Sequence, residues 1–311
     1  MDIVGDVLSA LRIRGSLYFH TDFGGGWGVR VPSFEQVARF HIAMQGEFWV
    51  ALPGSDASAH IREGDVALVP HGAEHILSAG EKGTAETLDA VLEKSGFSGA
   101  GALVYHPDGD AGRPARQARM VCGHFSFDNR IRHPLVDELP KLIVLRSDRT
   151  QNFQWLDRVI QFIAHESTSE LPGGEAVTNR LSEILFVQAL RMQLASAAPE
   201  QRFLLALADT NIRRALEAIH ADPTHGWTVA ELATRAAMSR TIFAERFVKS
   251  VGMTPAAYLR NWRIQIAIRQ LRDTSAQVED IAAEVGYGSG RALARALVQE
   301  TGYRLSEFRA G

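Results

Sequence analysis

The stretch GDVALVPHGAEHIL, residues 64–77, gathers two glycines, a proline and two histidines into one short span. Gly64-Asp65 reads as a turn into a strand, and Pro70 with Gly72 turns the chain out of it. His75 then opens the next strand facing the domain interior, while His71, beside the turn proline, faces solvent. FHIAMQG supplies His41, which shares a strand face with Arg39 by period-2 alternation. VCGHFSFD supplies Cys122 and His124. Imidazole nitrogens and a thiolate are ligands that Zn²⁺ accepts, so His41, His75 and either Cys122 or His124 could converge on a zinc or other divalent ion. Two other roles stand beside that one. The histidines could line a pocket for an organic effector together with Phe40 and Trp49, or His41 and His75 could be a satisfied structural pair. Cys122 reads as a small buried hydrophobe, with redox sensing as the alternative.

A second chemistry is written twice near the C-terminus. TVAELATRAAMSRTIFAERFVKSVG and QVEDIAAEVGYGSGRALARALVQETG each spell a short helix, a tight turn and a second helix closed by glycine. Ala233 and Ala282 put a small side chain where two helices must cross, as a helix-turn-helix requires. Gly286 gives the second turn a permissive backbone, whereas Ala237-Met238 occupies the first. In the first copy Ile242, Phe243 and Phe247 are expected inward, leaving Arg240, Thr241, Ala244 and Glu245 outward. In the second, Leu293 and Leu297 are expected inward, leaving Gly290, Arg291, Ala294 and Arg295 outward. Arginine can bond a guanine edge bidentately. Lys249 and Arg260 suit phosphates, which position without specifying. A linking helix of about 18 residues would be about 27 Å long, enough to set two reading helices about one DNA turn apart.

These groups need two scaffolds. From about Leu17 to Leu145 short strands alternate with Gly/Pro/Asp turns, which predicts an antiparallel sandwich or barrel, with a polar loop over Pro107–Arg116. Beyond Ser147 the texture is helical. NFQWLDRVIQFIAHES places Phe153, Leu156, Ile160 and Ile163 on one stripe. TNRLSEILFVQALRMQLASA is apolar around much of its circumference, which predicts packing on two sides and, by preference over simple burial, a homodimer. SAAPEQR reads as a linker. Later starts are capped: Thr228 with Glu231 forms a capping box, Ser239 precedes a helix, and Thr254-Pro255 gives a cap and a first-turn proline. The expected boundaries are 1–147 for a sensor domain, 148–200 for a dimerisation and linker segment, and 208–309 for a DNA module with units at 228–250 and 278–300.

Bulk properties bound the answer. The chain of 311 residues, 46% hydrophobic, has room for two domains. It has no membrane-length apolar run and no signal-peptide layout, and its single cysteine suits a reducing cytoplasm. Net charge is −3, but from Asp222 onward 12 basic residues face 9 acidic ones, against 21 and 27 before it. The C-terminal part is thus the anion-facing one.

The region from about Thr210 to Arg309 resembles the AraC/XylS family of bacterial transcription regulators. WTVAELATRAAMSRTIFAERF, GMTPAAYLRNWRIQIAIRQL and IAAEVGYGSGRALARALVQETGYRLSEFR carry the resemblance. It implies two helix-turn-helix units joined by a long helix, promoter DNA as partner, and RNA polymerase where the protein activates. Glu245 departs from the pattern, standing where a basic base-contacting residue is common; a glutamate there could accept from cytosine. Leu293 and Leu297 replace phenylalanines, and Leu305 replaces a proline. The first 145 residues resemble the cupin-type sensory domain of one branch, on LRIRGSLYF, Trp27-Gly28, FHIAMQG, EGDVALVPHGAEHIL, VCGHFSFD and HPLVDELP. Gly64-x5-Pro70-x-Gly72-x2-His75 is similar to the second cupin motif, whose last histidine is usually a metal ligand. The first motif is missing, with Arg39 at its glutamate position. The expectation is a cytoplasmic, non-enzymatic regulator answering a small-molecule, metal or oxidant signal. A cupin metalloenzyme fused to a DNA-binding domain is the competing reading.

Overall fold

The computed structural model describes residues 2–11, 13–34, 37–81, 83–99, 101–107, 117–127, 133–147, 154–168, 172–195, 198–199 and 201–309. It divides into two compact units. The sheet unit comprises Ile13–Phe127 and Pro140–Arg191, and the helical unit comprises Met1–Arg12, Asp128–Leu139 and Met192–Gly311.

In the sheet unit the strands are β1 (Arg14–Phe23), β2 (Gly28–Val31), β3 (Val37–Gln45), β4 (Phe48–Ala51), β5 (Ser58–Ile61), β6 (Val66–Val69), β7 (His75–Ser78), β8 (Glu86–Thr87), β9 (Ala102–Tyr105), β10 (Ala118–Ser126) and β11 (Ile143–Leu145). They form two sheets, ordered β11-β6-β3-β10-β1-β9 and β5-β4-β7-β2-β8. Val29, Ala43, Val50, Ala67, Leu77 and Met120 from the two sheets meet in one core. The expected all-antiparallel pattern is corrected at one edge of each sheet, where β9 runs parallel to β1 and β8 parallel to β2. Long connections reach both strands, so hairpin geometry does not dictate their direction.

Strand alternation decides what looks inward. On β3, Arg39, His41 and Ala43 share the face whose Ala43 lies in the core between the sheets, and Phe40 belongs to the opposite face. Phe40 lies 4.8 Å, ring centre to ring centre, from Phe125, which is 5.1 Å from Phe186 of the helix Gly174–Ala195. Phe40 therefore packs the sheet onto that helix and does not line the interior. Trp49 has the same outcome: Phe48 and Val50 enter the core, while Trp49 stacks on His60 outside at 4.9 Å.

The turns that frame β6 are fixed by backbone. Gly64 adopts φ +85° and donates its N–H to the Ala43 carbonyl at 2.8 Å. The buried Asp65 carboxylate accepts from Arg146 at 2.7 Å and from the Ser147 N–H at 2.8 Å, a structural task that pins β11 beside β6. At Gly72, φ is +60° and an added Cβ would sit 2.1 Å from the Phe34 carbonyl oxygen, so glycine is required there.

Leu156, Ile160 and Ile163 are the buried stripe of the helix Gln154–Thr168; Phe153 lies outside the described residues, as does the expected polar loop from residue 108 on. Within the helical unit, the helix Ile3–Leu11 and the short helix Pro134–Asp137 pack with the C-terminal helices. The sequence had placed both in the sensor domain. Among the described residues, no helix is long and apolar enough to cross a membrane.

Candidate nucleic-acid interface and sensor core

The first helix-turn-helix consists of Val229–Arg235 and Arg240–Val251, and the second of Val278–Glu284 and Gly290–Thr301, with Pro255–Asp273 between them. Their starts follow local rules. Thr228 and Glu231 satisfy one another's backbone N–H groups in a capping box. Ser239, Thr254 and Ser289 cap the helices behind them. Both turns use a left-handed residue: Gly286 at φ +80° in the second, Ala237 at φ +51° in the first. A Cβ in that region is strained by about 1 kcal/mol. Ala237→Gly is expected to raise the denaturant midpoint, with a gain of up to about 1 kcal/mol because glycine's extra unfolded-state freedom offsets part of the relief. A lower midpoint would show that the strain is not there.

Arg263 of the linking helix ties the two units together. Its guanidinium donates to the carbonyls of Pro223, Thr224 and His225 and to that of Gly286. Three sequence expectations change on this scaffold. Gly290 is buried, and a Cβ there would meet the Glu279 carboxylate at 2.7 Å, so it serves close helix packing and cannot read a base. Ile242, expected inward, is 56% exposed, because Phe243, Phe247 and Val251 alone fill the inner face. Arg260, expected on phosphate, is ion-paired with Glu300. Arg240, Thr241, Glu245, Lys249, Arg291 and Arg295 are exposed, and Ala244 and Ala294 are partly so.

In the sheet core the donors form a relay. His75 Nδ1 lies 2.8 Å from the Ala73 carbonyl, His75 Nε2 lies 2.8 Å from His41 Nε2, and His41 Nδ1 lies 3.2 Å from Cys122 Sγ. A carbonyl only accepts, so with neutral rings the protons have one consistent order. His75 Nδ1–H donates to Ala73, His41 Nε2–H donates to His75, and the Cys122 thiol donates to His41. Burial enforces neutrality: it lowers His41 well below the usual imidazole value, lowers His75 to about 4, and raises the Cys122 thiol to about 12.

This arrangement does not fit the expected metal set. His41 turns opposite ring nitrogens to His75 and Cys122, so the three cannot ligate one ion, and two Nε2 atoms at 2.8 Å are too close to bracket a zinc with bonds of about 2.0–2.1 Å in tetrahedral geometry. Among the described residues no group of three His, Cys, Asp or Glu could hold a metal ion. His124 sits opposite Arg39 in the strand register, two residues along from the Cys122–His41 pair, and is only half-buried. At neutral pH alkylation of Cys122 in the native protein is expected to run at least a hundredfold slower than in denaturant, because so little thiolate forms. Equal rates would mean an accessible, ionised thiol.

Sequence reading missed a second polar cluster, in the helical unit. Tyr258 of the linking helix has its hydroxyl 2.9 Å from His220 Nε2 and 3.4 Å from His133 Nε2, and His220 Nδ1 lies 3.3 Å from the Asp6 carboxylate. His133 Nδ1 accepts from the Leu135 N–H, so its Nε2–H donates to Tyr258, which donates to His220, which donates to Asp6. Burial lowers His133 to about 3 and His220 to about 4. The cluster joins residues up to 252 positions apart (Asp6 and Tyr258), which no local signal could reveal.

Comparison with known proteins agrees with this layout. A cupin family model matches residues 2–195 and a helix-turn-helix domain model matches residues 232–311. A putative AraC-like transcription regulator of Streptomyces antibioticus is 32% identical, covering 99% of this chain and 98% of its own. The HTH-type transcriptional regulator AlkR of Acinetobacter baylyi is 27% identical over 96% of both chains. The RCS-specific HTH-type transcriptional activator RclR of Escherichia coli is 26% identical, over 99% and 97%. A cupin sheet domain followed by paired helix-turn-helix units, matched along the whole length by such a relative, places this chain in the family of AraC-like transcription regulators.

Proposed function

We infer that this regulator reads a promoter through Arg240–Val251 and Gly290–Thr301 and is controlled by a small molecule reaching the core of its sheet unit. The repeated helix-turn-helix held by Arg263 carries the first half. Arg240, Thr241, Ala244, Glu245, Arg291, Ala294 and Arg295 are the base-reading candidates, with Lys249 toward phosphates. For the second half, a small cavity is lined by Thr21, Phe23, His41, Leu77, Leu103 and Cys122. The buried Thr21 hydroxyl has no hydrogen-bond partner among the described residues, and the buried Arg39 lines the same cavity, which supports a ligand with a polar, anionic head on an otherwise apolar body. Oxidant sensing at Cys122 is less favoured by a thiol held protonated, and metal catalysis by a relay with no ion site.

An effector's signal would pass along the chain itself. β10 carries Cys122 and runs on toward His133, and β1 follows directly on the helix Ile3–Leu11, so both neighbouring strands lead into segments of the helical unit. Exposed Val177 and Ile184, seven residues apart on one helix, support a homodimer face, and a cytoplasmic location suits the single buried thiol. Selection of binding sites by the full chain from random-sequence duplexes tests the reading; enrichment of one motif is expected, and a product no different from the input library would overturn it.

A further inference from the structure

The two reading helices can be aligned residue for residue from their capping serines, Ser239 with Ser289, to their closing glycines, Gly252 with Gly302. Phe243 and Phe247 then match Leu293 and Leu297, the buried anchors of both. On the outer side the match is closer than function demands of a scaffold. Ala244 pairs with Ala294 and Val248 with Val298, one helical turn apart in each copy. Val248 is 40% exposed and Val298 44% exposed. Valine is a weak helix former, and neither Val248 nor Val298 belongs to the buried core. The neighbouring exposed positions carry Arg246, Lys249 and Gln299, the usual polar covering. Helical geometry puts Thr241, Ala244, Glu245 and Val248 on one stripe of Arg240–Val251, and Arg291, Ala294, Arg295 and Val298 on the same stripe of Gly290–Thr301. The stripes differ where charge is concerned: Glu245 occupies the position of Arg295, and Thr241 that of Arg291.

We propose that Ala244–Val248 and Ala294–Val298 are two equivalent thymine-reading strips, each beside a charged reader of opposite sign. The inference rests on the DNA-binding reading above and specifies what that interface selects. The thymine C5-methyl is the apolar group that a major groove offers, and small aliphatic side chains are its usual contacts. A carboxylate accepts from the cytosine N4 amino group, while a guanidinium donates to guanine O6 and N7. The operator therefore has two unlike halves, about one helical turn apart. The half under Arg240–Val251 carries thymine beside cytosine on the strand read, and the half under Gly290–Thr301 carries thymine beside guanine. With unlike halves, the site is not a palindrome, and a single chain has a fixed direction on it.

The test uses the full chain and a duplex selected from a random library. Each thymine of that duplex is replaced in turn by deoxyuridine, which removes only the methyl group. Affinity is expected to fall about threefold to tenfold at a thymine in each half. Val248→Ser should abolish the loss in the first half and leave the second intact, and Val298→Ser should do the reverse. Both positions are exposed, so circular dichroism should be unchanged. Glu245→Gln should weaken the preference for cytosine in the first half alone. Selected duplexes that bind tightly but tolerate every thymine-to-deoxyuridine exchange would overturn the strips while leaving DNA binding standing. Equal methyl sensitivity in wild type and both serine variants would overturn them too. Failure of any motif to be enriched would overturn the underlying reading instead.

Discussion

Lowering the pH from 7.5 to 5 is expected to cost the helical unit about 4 kcal/mol of stability and the sheet unit at least about 2 kcal/mol, read as a fall in the guanidinium midpoint at pH 7.5, 6 and 5. The cause is four histidines buried neutral: His41 and His75 in the sheet unit, His133 and His220 in the helical one. Each has its folded pKa depressed below the unfolded value near 6.5. The stability such a group contributes is complete above 6.5 and is lost as the pH falls toward the folded value. At pH 5 the unfolded chain has bound the proton while folded His75, His133 and His220 have not, which costs about 2 kcal/mol for each of these three, and His41 adds to the loss in the same direction. The relays give that cost a structural form. Protonating His75 would set two N–H groups face to face at 2.8 Å, protonating His41 would put an N–H at Nδ1 against the Cys122 thiol that donates to it at 3.2 Å, and protonating His133 would oppose its Nδ1 to the Leu135 N–H. Most carboxylates titrate below this window, so they do not mimic the effect. A midpoint unchanged between pH 7.5 and 5 would mean that these histidines are open to water.

The DNA module was legible because its determinants are short-range. Thr228 with Glu231, Ser239, Thr254-Pro255 and Ser289 act within three residues of themselves, and the buried Phe243, Phe247, Leu293 and Leu297 follow helical periodicity. Gly290 was misplaced because what fills its space is Glu279, on the preceding helix. Ile242 is exposed because Phe243, Phe247 and Val251 already saturate the inner face, and apolarity alone does not tell which helical side chain is core. Phe40 and Trp49 are a different failure. Alternation that sets His41 inward sets Phe40 outward, so a local rule was enough to exclude it. The direction of the relay was beyond sequence, since it turns on which ring nitrogen of His41 meets which partner. The Tyr258 cluster was beyond it as well, because Asp6 and His133 reach the linking helix only through the fold.

Replacing both arginines of the second reading helix, Arg291→Ala with Arg295→Ala, is expected to weaken binding to a selected duplex by about thirtyfold or more at fixed salt. Each bidentate bond to guanine is worth about 1–3 kcal/mol, and two lost together give at least about 2 kcal/mol. Both side chains are exposed, so the loss should come without a change in melting temperature. The comparison that gives this result meaning is Lys249→Ala. A phosphate partner lost should weaken binding to all duplexes alike and reduce the slope of log affinity against log salt by about 1. The arginine pair should do something else: the selected duplex should lose far more than a scrambled one, and the ratio between them should collapse. The same contrast separates the two possible jobs of a basic helix, since charge alone supplies affinity for any sequence while a fixed guanidinium fork supplies preference. If the double variant lost affinity equally for selected and scrambled duplexes, Arg291 and Arg295 would be phosphate anchors, and specificity would have to come from the first unit, where Glu245 and Thr241 stand in their places.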